Sequence, residues 1–155
     1  MNINIITIGT KMPDWVDSAY SEYAQRLQSF CRLNLITLPL GKRTKTSNPE
    51  DAKKQESKAI LDKLTQSDYL VLLDSRGRQF SSEGFAEYIN NLRVTSKNIY
   101  LVIGGPDGFA TDCYHRANDQ ISLSKLTLPH PIARVVLTEQ LYRAFAILNH
   151  HPYHK

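Results

Sequence analysis

Two short apolar runs, each broken off by residues that force unusual backbone, constrain this chain most. Leu101-Val102-Ile103 runs into Gly104-Gly105-Pro106-Asp107-Gly108, and Leu123–Leu128 runs into Pro129-His130-Pro131-Ile132-Ala133-Arg134. Each run reads as a buried strand that stops abruptly. In open α/β sheets the ligand lies just beyond the carboxyl ends of strands. Two such ends, about twenty residues apart, predict one small-molecule site built from two loops.

The rest of the chain supplies the frame. Ile3, Ile5, Ile6 and Ile8 mark a first strand ending at Gly9. A helix opens at Pro13-Asp14, with Asp14 as its cap and Asp17 in the first turn, where a carboxylate suits the helix dipole. Leu33, Leu35, Ile36 and Leu38 predict a second strand, and Gly41–Ser47 a basic loop. Asn48-Pro49-Glu50-Asp51 is a helix start: cap, proline, then acids. Tyr69–Leu73 reads as a third strand ending in an Asp74-Ser75-Arg76-Gly77 turn. A helix follows near Ser82, then a strand at Ile99–Ile103 and a short helix over 111–118 capped by Thr111. Leu123–Leu128 is the fifth strand, and Pro131 starts a last helix that runs to Leu148.

Strands without polar alternation belong to parallel sheets covered on both faces, and strand–helix alternation points the same way. The expected fold is therefore α/β: an open, mainly parallel sheet of about five strands with helices on both faces. At 155 residues one domain, 1–155, is expected. No apolar run approaches the roughly 20 residues that span a bilayer, and no basic leader precedes the first strand. The expected location is the cytoplasm, with no membrane partner. Cys31 and Cys113 read as reduced, buried thiols.

Charge is localised. Residues 31–63 hold eight Lys or Arg against four acids, while the remainder balances. Lys42, Arg43 and Lys45 in the basic loop are candidate phosphate-backbone contacts; the same excess also fits a solvated helix face. Residues 120–155 are basic again, with Lys125, Arg134, Arg143 and Lys155 against Glu139, so Arg143 and Lys155 join the RNA-contact candidates. The glycine loop is neither G-x-G-x-x-G nor a P-loop, so phosphate cradling is not expected. What remains is a backbone that a ligand can approach closely. Pro129 and Pro131 hold the chain extended around His130, where neutral backbone groups suit the edge of a purine ring. Leu73 offers an apolar wall. His130 fits either a ligand contact or an ordinary turn histidine.

The last helix is apolar over most of its circumference. Leu137, Leu141, Ala144, Phe145 and Leu148 form one stripe, with Ile132, Val135, Val136, Tyr142 and Ala146 largely outside it. Such a helix is buried on more than one side. A second copy of the chain is the expected cover, the alternative being the N-terminal segment. His150, His151 and His154 come without a carboxylate or cysteine at ligand spacing, so no metal is expected.

Five separated motifs carry a family resemblance: Gly9-Thr10-Lys11-Met12-Pro13-Asp14-Trp15, Ile103–Gly108, Leu123-Ser124-x-Leu126-Thr127-Leu128-Pro129-His130, Glu139-Gln140-Leu141-Tyr142-Arg143-Ala144 and Pro152-Tyr153-His154. In that order, over the full length, they resemble the RlmH family of the SPOUT superfamily. One departure is His150, where asparagine or a small residue is expected. The resemblance implies an enzyme that methylates N3 of a pseudouridine in 23S ribosomal RNA, with S-adenosylmethionine as donor. It also implies a deep trefoil knot in the C-terminal part, a homodimer, and large-subunit ribosomal RNA, within assembled ribosomes, as partner. By position the donor would be held by Leu73, Gly104, Gly105, Leu123, Ser124, Lys125, Leu126, Thr127 and Leu128. His130, Arg134, Tyr153 and His154 are the candidates for orienting the base, stabilising charge or moving the N3 proton. The tail would act within one chain or across the dimer. The rival is a flavodoxin-like module that binds a nucleotide or RNA without chemistry.

Overall fold

The computed structural model describes residues 1–9 and 11–155. Five strands, β1 (Asn2–Ile8), β2 (Arg32–Leu38), β3 (Tyr69–Gln79), β4 (Asn98–Ile103) and β5 (Asp119–Ser122), form one sheet in the order β2-β1-β4-β3-β5. Every described pairing is parallel. Parallel strands need crossovers, and the helices α1 (Asp14–Leu27), α2 (Pro49–Leu61), α3 (Ser82–Thr95) and α4 (Thr111–Arg116) provide them; α5 (His130–Leu148) follows the last strand.

The side-chain period of two divides the core between the faces. Ile3, Ile5, Val71, Ile99, Leu101 and Ile103 point to one face and pack under α1, α3 and α5. Ile6, Ile8, Leu70, Leu72 and Val102 point to the other, against Ile60 of α2 and Cys113 of α4. The apolar continuity of these strands thus has its cause in two covered faces. Cys31, half-buried, and Cys113, buried, are free thiols; burial pushes the Cys31 thiol up to about 11.

Local chemistry starts the helices. Asn48 accepts from the Glu50 amide at 3.0 Å, with Pro49 in the first turn. Ser81 accepts from Gly84 N at 3.0 Å and caps α3. Two expected caps move inside instead: Asp14 and Thr111 are the first residues of their helices, after Pro13 and Ala110. The Ala110 amide is met across the fold by Ser57 Oγ at 2.9 Å.

Two expected strand boundaries also change. The strand expected at Leu123–Leu128 lies earlier, at Asp119–Ser122. Beyond it the Ser122 hydroxyl donates to Ser124 O, and Ser124 Oγ accepts from Leu126 N, both at 2.9 Å. These local bonds turn 123–128 away from the sheet. β3 does not end at Leu73. Ile121 of β5 pairs with both Leu73 and Arg78, so residues 74–77 bulge out of the ladder before pairing resumes. Gly77 is required there, because a Cβ would lie 2.5 Å from the Ile121 carbonyl carbon.

Helix α5 has no exposed residue over its length, because it lies between α1 and α3. Phe145 stacks on Phe30 at 5.7 Å between ring centroids. Ile132, Val135 and Val136 remain half-buried. No helix of the described residues is long and apolar enough to cross a membrane.

His150 ends α5 at φ +55°. Its amide bonds Ile147 O at 3.2 Å and the His151 amide bonds Ala146 O at 2.8 Å, which is the Schellman pattern that favours glycine or asparagine. The departure noted in the sequence therefore places a side chain in left-handed backbone. His150 is exposed, so its ring contributes little packing to offset that strain. His150→Gly is expected to raise the unfolding free energy by about 1 kcal/mol, since a left-handed residue with a Cβ costs roughly 1–2 kcal/mol. Thermal melts should show a rise of about 2–4 °C; an unchanged or lower melting temperature would contradict this account.

Candidate functional site

Because β3, β4 and β1 are parallel and in register, Leu73 sits opposite Ile103 and Ile103 opposite Thr7. β4 ends and β3 bulges out of the ladder at the same level, and a cavity of about 350 Å³ opens there. Leu73 and Ile103 form part of its wall, with Gly104, Gly105 and Gly108 beside them. The 122–128 turn supplies Leu123, Ser124, Leu126, Thr127 and Leu128, and α5 supplies His130 and Ala133. The two strand-end loops picked from the sequence thus meet in one cavity. Lys125 is exposed and is not part of the lining.

The two glycines have a structural cause. A Cβ on Gly104 would lie 2.8 Å from the Phe109 ring, and one on Gly105 would lie 2.4 Å from Glu56 Oε1. Their backbones are thin because side chains from below occupy the adjoining space.

A polar group in the lining was missed in the sequence. Tyr114 Oη donates to Asp74 Oδ2 at 2.5 Å, and Arg76 Nη2 donates to Tyr114 Oη at 2.8 Å. Arg76 Nε and Nη2 both donate to the Asp74 carboxylate at 3.1 Å. These bonds, those from Arg76 first, hold the Asp74 carboxyl down at about 2. The wall is therefore an internally compensated ion pair. Among the described lining residues Arg76 is the one permanent cation, and it is already paired, so the cavity suits a ligand without phosphates. The strand-end argument that selected Gly104 applied equally to Asp74-Ser75-Arg76. Tyr114, on the short helix, left no comparable signal.

His130 is the first residue of α5 and half-buried. Burial, and then the Arg134 charge, hold its imidazole below the usual 6.5, with Glu56 opposing. At neutral pH the ring is uncharged and able to accept a proton. Arg134 is not part of the cavity lining. Its guanidinium is 2% exposed, donates to Thr7 Oγ1 at 2.8 Å, and has Asp17 at 3.8 Å. Its Nε has no hydrogen-bond partner among the described residues, and burial lowers its affinity for the proton.

The tail is tied down at the other end of α5. Tyr153 Oη donates to Glu139 Oε1 at 2.9 Å, and the ring meets Tyr142 edge-on at 4.7 Å. Arg143 bonds Glu139 at 2.6 Å and lies over the Tyr153 ring at 4.8 Å. Arg143 Nη1 lies 3.1 Å from His154 Nδ1, and His154 Nε2 lies 2.8 Å from Glu83 Oε1. A guanidinium only donates, so Nδ1 accepts and Nε2 carries the proton towards Glu83. His151 Nδ1 accepts from the Tyr153 amide at 3.2 Å. At 1.5 Å per residue, His130 and the end of α5 are about 27 Å apart along the axis. The tail folds back over part of that length: Glu139 and Arg143, which hold Tyr153 and His154, lie about 14 and 20 Å along the axis from His130.

The basic loop divides similarly. Lys42 and Lys45 are exposed. Arg43 is an exposed residue too, its side chain 28% accessible, but its guanidinium bonds Glu56 and Asp107 at 2.8 and 3.0 Å. Lys155 is exposed, whereas Arg143 is engaged as described.

The family model described as "Predicted SPOUT methyltransferase" matches residues 1–154. The chain is 48% identical to Ribosomal RNA large subunit methyltransferase H of Francisella tularensis subsp. novicida over the whole of both chains. It is 44% and 43% identical to proteins of the same name from Legionella pneumophila (strain Paris) and Hahella chejuensis, over all of this chain and 99% of theirs. The fold expected of that family is the parallel α/β sheet found here, and a cavity at its carboxyl edge suits S-adenosylmethionine, which the family uses as methyl donor. With a family model covering nearly every residue and full-length relatives well above 40% identity, the chain belongs to the SPOUT methyltransferases.

Proposed function

We propose that the protein methylates N3 of a pseudouridine in large-subunit ribosomal RNA, with S-adenosylmethionine held in the cavity at the ends of β3, β4 and β5. The observation that carries this reading is the cavity itself: its charged groups are paired, Asp74 with Arg76 and Asp107 with Arg43, glycine backbone and apolar side chains complete much of the wall, and its volume falls within the roughly 300–1,000 Å³ range of small-molecule sites. Leu73, Gly104, Gly105 and the 122–128 turn would hold the donor, with the Asp74–Tyr114–Arg76 wall meeting its polar parts. The bound donor would supply a methyl carbon open to in-line displacement, its S–CH3 bond breaking and its sulfur leaving as the neutral thioether. What the protein adds is alignment and a destination for the N3 proton. His130, uncharged and at the cavity, takes that proton as the N3–carbon bond forms.

The second half of the site comes from another copy of the chain. Tyr153, His154 and Arg143 do not line the cavity of their own protomer. A homodimer packed over Ile132, Val135 and Val136 of α5 brings the partner's tail to the cavity, where an aromatic face and polar edges suit a base taken out of its stack. Lys42, Lys45 and Lys155 then contact RNA backbone in the assembled ribosome, in the cytoplasm. The trefoil knot belongs to the same reading.

Titration calorimetry with S-adenosylmethionine, S-adenosylhomocysteine and FMN tests the donor. The two sulfur compounds should bind, and FMN should not; binding of FMN alone would favour the flavodoxin-like module. Tyr114→Phe breaks the bridge between Asp74 and Arg76 and should weaken donor binding about fivefold, the value of one hydrogen bond near 1 kcal/mol. The methylation rate should fall on the acid side with a midpoint below 6.5, because only the uncharged His130 accepts a proton. That limb should vanish in His130→Gln, and a limb above 6.5 would exclude His130. Finally, a chain lacking Tyr153–Lys155 and a His130→Ala chain should each be inactive alone. Mixed and allowed to exchange, they should recover about a quarter of wild-type activity, because half of random dimers carry one intact site. No recovery would mean that the tail acts within its own chain.

A further inference from the structure

Glu56 is a carboxylate only 2% exposed, in the middle of α2, on its buried face with Ala52, Ser57 and Ile60, while Glu50, Asp51, Lys54 and Lys58 are exposed. It lies directly beneath Gly105, in the volume that a Cβ would need. A buried charge without partners is costly, and every partner of this one comes from elsewhere in the chain. Arg43 approaches it side-on, with Nη1 to Oε2 at 2.8 Å and Nη2 to Oε1 at 3.2 Å. The Gly41 amide donates to Oε2 at 2.9 Å. The same guanidinium reaches over with Nε to Asp107 Oδ2 at 3.0 Å, and its Nη1 also donates to Gly41 O at 3.1 Å. Arg43 therefore links three segments: the basic loop, α2 and the 104–108 turn. That turn is itself closed by Gly108 N to Gly105 O at 3.1 Å.

We propose that Arg43 is a positioning residue of the donor site: clamped between buried Glu56 and Asp107, it holds the 104–108 turn in the shape that forms the cavity wall, and it is not an RNA contact. The proposal rests on the donor reading above and departs from the expectation that charge alone suggested for Arg43. The planar fork of arginine satisfies the bidentate geometry, which lysine cannot reproduce. Four of the five Arg43 N–H groups are engaged, leaving one on Nη2, so a fork-on-phosphate contact would require releasing one of these acids. Lys42 and Lys45, by contrast, hold no such bond and stand free to meet RNA.

The test compares Arg43→Ala, Arg43→Lys, Glu56→Gln, the double variant Arg43→Ala/Glu56→Gln and Lys42→Ala/Lys45→Ala. Amide hydrogen exchange of the ligand-free proteins is measured first. Arg43→Ala should speed exchange at 105–109 while the central strands stay protected, which separates a loosened turn from a destabilised fold. Binding of S-adenosylmethionine should weaken at least tenfold in Arg43→Ala. It should be only partly restored in Arg43→Lys and should stay weak in the double variant, where the link to Asp107 is still missing. The salt dependence of ribosome association should keep its wild-type slope in Arg43→Ala and lose about one unit per residue in the lysine variant. Wild-type donor binding and exchange in Arg43→Ala, with a reduced salt slope, would overturn the proposal and make Arg43 an RNA contact. A double variant that binds as the wild type does would also overturn it, since an unpaired Glu56, and not the lost link to Asp107, would then be the cause. If the wild-type protein binds no S-adenosylmethionine, the donor reading fails while the exchange measurement still decides the clamp.

Discussion

The pairing of β4 between β1 and β3 is the constraint from which the site follows. Parallel strands in register must end at one edge, and whatever leaves them must turn within the same few ångströms. Leu73, Ile103 and Thr7 fall at that level. Beyond it the backbone polar groups have no ladder partner and must be met by turns, side chains or a ligand. The bulge at 74–77, the 104–108 turn and the 122–128 turn are three answers to that requirement, and the cavity is the space between them. Neither the glycines nor the serines there act alone. Each turn is closed by its own bond, and a side chain from the layer below, Phe109 or Glu56, fixes its height.

Much of this was legible in the chain. Parallel sheets with two covered faces write their strands as uninterrupted apolar runs, so β1, β3 and β4 announced themselves. Asn48-Pro49-Glu50 announced α2 through capping chemistry that needs no tertiary context. The fifth strand was misplaced because Leu123, Leu126 and Leu128 are apolar for a different reason: they line a cavity and cover the core edge from a loop. Short apolar runs do not distinguish these uses. The 74–77 bulge was read as a turn that ends the strand. The residues do turn, but β5 waits beyond them and pairing resumes. That depends on a non-local neighbour, which local composition does not encode.

Charge was the weaker guide. Arg43, Arg134 and Arg143 all counted as basic surface in the sequence, yet the structure holds each against specific partners: Glu56 with Asp107, Thr7 with Asp17, and Glu139 with Tyr153. Counting cations registers sign and density. It cannot register whether an acid elsewhere in the chain has claimed the guanidinium, and the partners of Arg43 and Arg134 are 13 to 127 residues away. Lysine offers three donors on a flexible stem and suits a solvated phosphate contact. Arginine presents a rigid fork suited to fixed acceptors. Within the basic loop the division follows that chemistry, with Lys42 and Lys45 outward and Arg43 inward.

The two ends of α5 extend the same reasoning from one protomer to the assembly. A helix buried between α1 and α3 is a rigid rod, so His130 and the tail cannot approach each other by bending it. The tail is also not loose. Both His154 nitrogens, the Tyr153 hydroxyl and the Arg143 guanidinium are engaged with Glu139 and Glu83, forming a pre-arranged aromatic and cationic surface. Such order in terminal residues, where chains ordinarily fray, requires acceptors placed for it, and Glu139 serves Arg143 and Tyr153 at once. In the proposed dimer that surface would meet the partner's cavity. The half-buried apolar residues of α5 lie near the cavity end of the helix, where a contact relating two chains by a two-fold axis would carry each tail towards the other's donor site.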